Sequence, residues 1–388
     1  MPSNELKTPV FYMNVVEWLA SIGWLHGSGH GIKFHTTLEA SNPKEVPLPY
    51  NANGNNDSLQ LPKFGPHVPV RGSRANVLPY KAIFGSNGCV GFLGHNFASA
   101  DVIVGIQEGV ANTSSPYNEE TATDYKPLYI KDSGMVNMSF NSPDWKFSTT
   151  YDGFSFYRCD YSDFDQTANP AQIRWESGAW GANDTSPYNG LGRPSVGCIF
   201  LGSYFQMPIN ANINMSISYQ MDGVDTVTTP GGTYLYNAKY TRPKKWGKLG
   251  AFELHSGSDS TTASLTGDGA RIGRRVVNMS FSFLDSSEIF PLIESTGFLW
   301  NDTFSGRSQG SMDANYERTT DDLLLGNNFI SQVLIRCNGG QLPFLLHLDS
   351  NDNTPGNFML AKFDQSSFQF NQVSRNKYNF SCKIKEVW

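Results

Sequence analysis

Few side chains in this sequence have the types and spacing for chemistry. His26, His30 and His35 fall in one glycine-rich stretch, HGSGHGIKFH. Imidazoles at loop spacing can ligate zinc, but no cysteine or carboxylate stands nearby, and a solvated loop is the plainer reading. Asp160, Asp163 and Asp165 lie in DYSDFD. That pattern lacks the spacing and glycine of a calcium loop and matches no acid–base pair. His95 could serve as a general base, yet neither a nucleophile nor an orienting carboxylate accompanies it, so a turn histidine bonded to backbone is expected. Trp175, Trp180 and Tyr188 share the stretch WESGAWGANDTSPY with Glu176 and Asp184. Aromatic rings beside carboxylates suit stacking on a sugar. These three aromatics are the candidate binding residues, for a glycan or for a neighbouring subunit. No phosphate loop, HExxH or GxSxG motif occurs. No catalytic residue, metal or cofactor is expected, and the chain is read as non-enzymatic.

The elements that would position these residues are strands. Charged residues make up only 16% of the 388 residues and aromatics 13%, with 37 glycines and 21 prolines. A charge content below the usual ~25% favours short strands and turns over long surface helices. The stretch from Gly192 to Gly223 organises the rest. Val196–Leu201 is an apolar run that suits a strand buried on both faces, and Ile213, Met215, Ile217 and Tyr219 then alternate with polar residues as in a strand with one face on a core. Ser203–Asn212 between them is read as a hinge. Val277, Met279, Phe281 and Phe283 alternate in the same way with Asn278, Ser280 and Ser282. Phe329–Cys337, Leu342–Leu348, Phe358–Phe363, Phe368–Phe370 and Tyr378–Ile384 are read as five short strands. Lys81–Ile106 is read as two core strands joined by a tight turn at His95–Ala100. The best helix candidate is Pro9–Leu25, and Ser41–Pro79, rich in Asn, Pro and Gly, reads as an extended arm.

The expected class is therefore mostly β, with two or more sandwich or jelly-roll-like domains, a short N-terminal helix and extended arms. The boundaries expected are residues 1–80 for helix and arm, 81–205 for the first sandwich and 206–388 for a second β-module, with a further break near 290–325. A net charge of −6 gives no reason to expect nucleic acid. The cluster KYTRPKKW at 239–246 is too short for a nucleic-acid surface. No apolar run reaches the ~18 residues of a spanning helix, and the N-terminus has no signal-like pattern, so neither membrane insertion nor export is expected. Five scattered cysteines without a CxxC pair are read as buried free thiols, in keeping with folding in a reducing cytosol.

Four stretches together resemble virion proteins of tailed bacteriophages: FLGHNFASA (92–100), RPSVGCIFLGSYFQMP (193–208), ISYQMDG (217–223) and GRRVVNMSFSFL (273–284) with the closing YNFSCKIKEVW. The resemblance implies a discoidin-like, galactose-binding-like sandwich for the first half, with a hairpin turn at His95-Asn96. For the second half it implies a tail-associated β-module carrying Gly273, Arg274, Arg275, Ser280, Phe281 and Ser282. It further implies a structural part of the tail, at or near the distal tail or baseplate, assembled in the host cytoplasm into a ring. Its partners would be copies of itself, other tail proteins and a host-surface glycan. A dedicated receptor- or carbohydrate-binding protein of the virion is the alternative.

Overall fold

The first strand decides the architecture. Val10–Asn14 (β1), VFYMN, is buried along its whole length, and Val15–Ser21 (α1) after it is helical. The sequence places all of this in one helix, because the apolar residues of Pro9–Leu25 also fit a helical period. The strand forms because both faces of β1 meet apolar surface. Phe11 and Met13 enter one core, while Val10 and Tyr12 enter another. A two-residue period serves two cores at once, whereas a helix would bury one stripe.

The computed structural model describes residues 7–21, 46–47, 57–60, 87–95, 97–98, 102–109, 125–127, 129–136, 138–141, 146–150, 153–160, 171–177, 195–196, 198–220, 224–238, 274–291 and 326–387. The fold is mostly β and is built on an eleven-stranded antiparallel sheet. After β1 its strands are Gly88–His95 (β2), Tyr129–Val136 (β3), Gly153–Asp160 (β4), Cys198–Gln206 (β5), Ser216–Gln220 (β6) and Arg274–Asp285 (β7). Phe344–His347 (β8), Phe358–Phe363 (β9), Phe370–Ser374 (β10) and Lys377–Glu386 (β11) complete it. Their order is β6-β7-β11-β9-β8-β1-β5-β2-β4-β3, with β10 also pairing β11. β1 thus lies between a strand of the first half and a strand of the second, with Phe11 opposite both Phe205 and Leu346.

The two cores occupy opposite faces of this sheet. Phe205, Val277, Met279, Phe281, Phe344 and Phe380 join Phe11 on one side, and Phe154, Phe156, Phe200, Leu345 and Phe358 join Tyr12 on the other. Gly202 lets β5 approach β1, since a Cβ there would stand 1.6 Å from the Met13 carbonyl oxygen. All five cysteines are buried free thiols.

Several local expectations are revised. Ser203–Gln206 of the expected hinge continue β5. The turn after it is held down: the Ala211 N–H donates to the Lys7 carbonyl and the Asn212 N–H to the Ser280 carbonyl. The expected pair of strands in Lys81–Ile106 forms no hairpin. β2 pairs with β4 and β5, whereas Val102–Gly109 pairs with Ala171–Ser177, Tyr125–Pro127 and Lys146–Ser148 in a separate six-stranded sheet. Phe329–Cys337, expected as a strand, is helical, with a π-type turn over Ile330–Leu334. Phe329, Val333 and Cys337, four residues apart, form its buried stripe.

Candidate assembly surface

Of the residues singled out for chemistry, His95, Asp160, Trp175 and Glu176 fall among the described residues. Trp175 lies in the strand Ala171–Ser177, opposite Val104 and Asp57. Trp180 and Tyr188 lie outside the described residues, as do His26, His30, His35, Asp163, Asp165 and Asp184, the stretch 239–246 and most of the arm. Asp160 ends β4. Among the described residues no three His, Cys, Asp or Glu side chains are grouped to hold a metal ion.

His95 does have a hydroxyl partner that the sequence does not reveal. Its Nε2 is 2.6 Å from Ser155 Oγ, and its Nδ1 accepts the Phe97 N–H at 3.2 Å. An Nδ1 that accepts leaves the proton on Nε2, so the ring donates to Ser155. That is the reverse of a base activating a nucleophile. Gly94, at φ 63°, is the extra residue of a bulge opposite Gly153 and Phe154. The bulge turns His95 onto the face of Phe97, on which it stacks at 4.4 Å. Burial holds its pKa down to about 3. His95 and Ser155 are thus a neutral structural pair.

The other buried polar groups also serve the fold. Arg158 donates from Nε and Nη2 to the Tyr12 hydroxyl at 2.8 and 2.7 Å and lies 4.7 Å over the Tyr204 ring. Burial pushes the Tyr12 phenol up, with Arg158 pulling the other way. Arg336 donates to Ser203 Oγ, and burial lowers its guanidinium to about 10. His347 stacks on Phe358 at 4.0 Å and donates from Nε2 to the Asp352 carbonyl, and burial lowers it to about 4.

Arg275, Ser280 and Ser282 of the GRR…SFS stretch act as fasteners. Arg275 holds Glu386 through its Nη2 at 2.8 Å and its own N–H at 2.9 Å. It also donates to the Gly356 and Phe358 carbonyls, tying β7 to β9 and the end of β11. Asn212 Nδ2 donates to Ser280 and Ser282 at 3.1 and 2.9 Å, and Ser280 donates to Asn214.

What remains is a surface. The alternation of Ile213, Met215, Ile217 and Tyr219 predicts a face on the core, yet every residue of β6 is exposed. Met215 packs against the core in part, while Ile213 is 88% and Tyr219 55% exposed. β6 ends the sheet and pairs with β7 alone among the described residues. Its sequence, SISYQ, has neither the lysine nor the proline that normally blunts an edge. Just beyond it, Val224–Thr228 and Tyr234–Ala238 form a hairpin that joins no other strand among the described residues. Val227 lies opposite Leu235, and both are exposed together with Tyr234. An isolated two-stranded hairpin is marginal in water. Covering Ile213, Ile217, Tyr219, Val227, Tyr234 and Leu235 would remove roughly 700 Å² from solvent.

Compared with known proteins, the chain matches no family model, no curated protein and no solved structure.

Proposed function

We propose that the protein is a non-enzymatic structural component of a phage virion tail, at the distal tail or baseplate, that assembles into a ring of its own copies. The observation that supports this best is the unblunted edge of β6, followed in sequence by the exposed hairpin of residues 224–238. Two different unsatisfied surfaces on one chain favour head-to-tail contacts, which form a ring when the rotation between copies closes and a filament when it does not. On this reading residues 81–205 are a discoidin-like sandwich and residues 206–388 a tail-associated module, with β1 joining them. The other partners are tail proteins and a host-surface glycan.

The mass of the purified protein by light scattering, with negative-stain images of the same sample, tests the reading. A closed ring or a concentration-dependent oligomer supports it. A monomer at every concentration overturns it in favour of a dedicated receptor- or carbohydrate-binding protein, the reading that Trp175, Trp180 and Tyr188 motivate.

A further inference from the structure

Phe283 is the residue the fold explains least. It lies in β7 at φ 64°, a left-handed conformation that costs a bulky residue about 1–2 kcal/mol. The strain arises at a bulge: Phe281 pairs with Phe380 and Leu284 with Tyr378, so Ser282 and Phe283 together face Asn379. Glycine is the ordinary residue at such a position. The strain secures no core packing, because Leu284 takes the inward place and Phe283 is 64% exposed.

The chemistry around it is rich in amides, and its charges are paired. Asn379 Oδ1 accepts the Phe283 N–H at 3.1 Å, which leaves the Asn379 Nδ2 for another acceptor. Asn371, opposite Asn379 on β10, accepts Gln369 Nε2 on its Oδ1 at 2.9 Å and likewise keeps its Nδ2. On the same sheet face Asn214, Asn278, Ser280, Gln365, Ser381 and Lys383 line an open hollow of about 280 Å³. The flanking cations are paired, Lys383 with Asp364 at 2.6 Å and Lys377 with Asp285 at 2.8 Å.

We propose that this outer face of β7, β11 and β10 binds an uncharged glycan, with Phe283 as the stacking platform and the Asn371 and Asn379 amides donating to sugar oxygens. An exposed ring beside free amide donors is complementary to a pyranose, which offers an apolar face and a rim of hydroxyls. The site is separate from the Trp175–Tyr188 stretch. It rests on the proposed place of the protein on a virion that meets a host surface.

The test is an array of neutral hexose and N-acetylhexosamine oligosaccharides probed with the full chain, with affinities then measured for any ligand found. Phe283→Gly should weaken binding about tenfold while melting at or above the wild-type temperature, because it relieves the strain. Asn371→Ala should weaken binding without lowering stability. No binding to neutral glycans, binding to anionic glycans only, or binding unchanged in Phe283→Gly would each overturn the site. The oligomeric mass of the same samples separates this from the assembly reading: a ring that binds no glycan removes the site alone. A Phe283→Gly protein that loses its ring assigns the residue to subunit contact and also overturns the proposal.

Discussion

Replacing Tyr12 by phenylalanine removes one oxygen from the middle of the sheet, and the cost should fall on Arg158. Both residues are buried, Tyr12 at 1% and Arg158 at 8% exposure. Two guanidinium N–H groups share the lost oxygen, at 2.8 and 2.7 Å. Among the described residues no carboxylate pairs with Arg158. The phenyl ring of the variant and the ring of Tyr204 would still attract the cation, but neither ring face accepts an in-plane hydrogen bond. Leaving a buried charged donor without its acceptor costs about 3 kcal/mol or more, and the retained ring contacts place Tyr12→Phe near that figure. Arg158→Met takes the opposite course. It removes the cation together with its desolvation and leaves only a neutral hydroxyl unsatisfied, a cost of about 1–2 kcal/mol. Combining the two removes that orphan as well, so the double variant should lie above both single variants. Urea unfolding midpoints of the three proteins provide the assay. A double variant that unfolds with or before Tyr12→Phe would refute the reasoning, since the group at risk would then not be the guanidinium.

Three further expectations follow from the same geometry. Ile217→Lys or Tyr219→Lys puts a charge on the open edge of β6, so each should dissociate the oligomer in light scattering while leaving the circular dichroism unchanged. His95 and His347 are held by burial at about 3 and about 4. The unfolded chain therefore takes up protons first as pH falls below about 6.5, and stability should drop between pH 6.5 and 4 and then lose nothing more to His347. A His347→Gln protein should show a shallower drop in denaturant midpoint over that window. Gly202→Ala drives a methyl group into the Met13 carbonyl. Overpacking of this kind costs about 3 kcal/mol or more, and the thermal midpoint should fall accordingly.

The strand content of the chain was legible because its signal is local. Val277, Met279 and Phe281 alternate, and they face the core as the alternation requires. The same pattern misplaces Phe283, since one extra residue in a bulge reverses the face and no residue type in SFSFLD announces it. Residues 10–14 show the opposite difficulty. An apolar run needed on both faces resembles a helix stripe until its two cores are known, and the strands that supply them lie far along the chain. At β6 the alternation marks a strand, though it starts at Ser216 and not at Ile213, and Ile217 and Tyr219 meet no core among the described residues. The Trp175, Trp180 and Tyr188 candidates rested on residue type alone, and only Trp175 falls in a described strand. The Arg158–Tyr12 and Arg275–Glu386 contacts span 146 and 111 positions, distances at which spacing carries no information.

The position of β1 also sets the order of events during synthesis. Its neighbours end at Gln206 and His347, so the ribosome releases VFYMN long before either seat exists. At ~5–20 residues per second the wait for the second neighbour is on the order of twenty seconds to a minute. Once β5 is made, β1 can take its first neighbour, but its other edge and the core partners Phe344, Leu345 and Leu346 are still missing. The growing polypeptide therefore carries exposed apolar surface at β1 until Phe344–His347 has been made. Chaperone supply and translation speed should govern its yield more strongly than the stability of the finished fold.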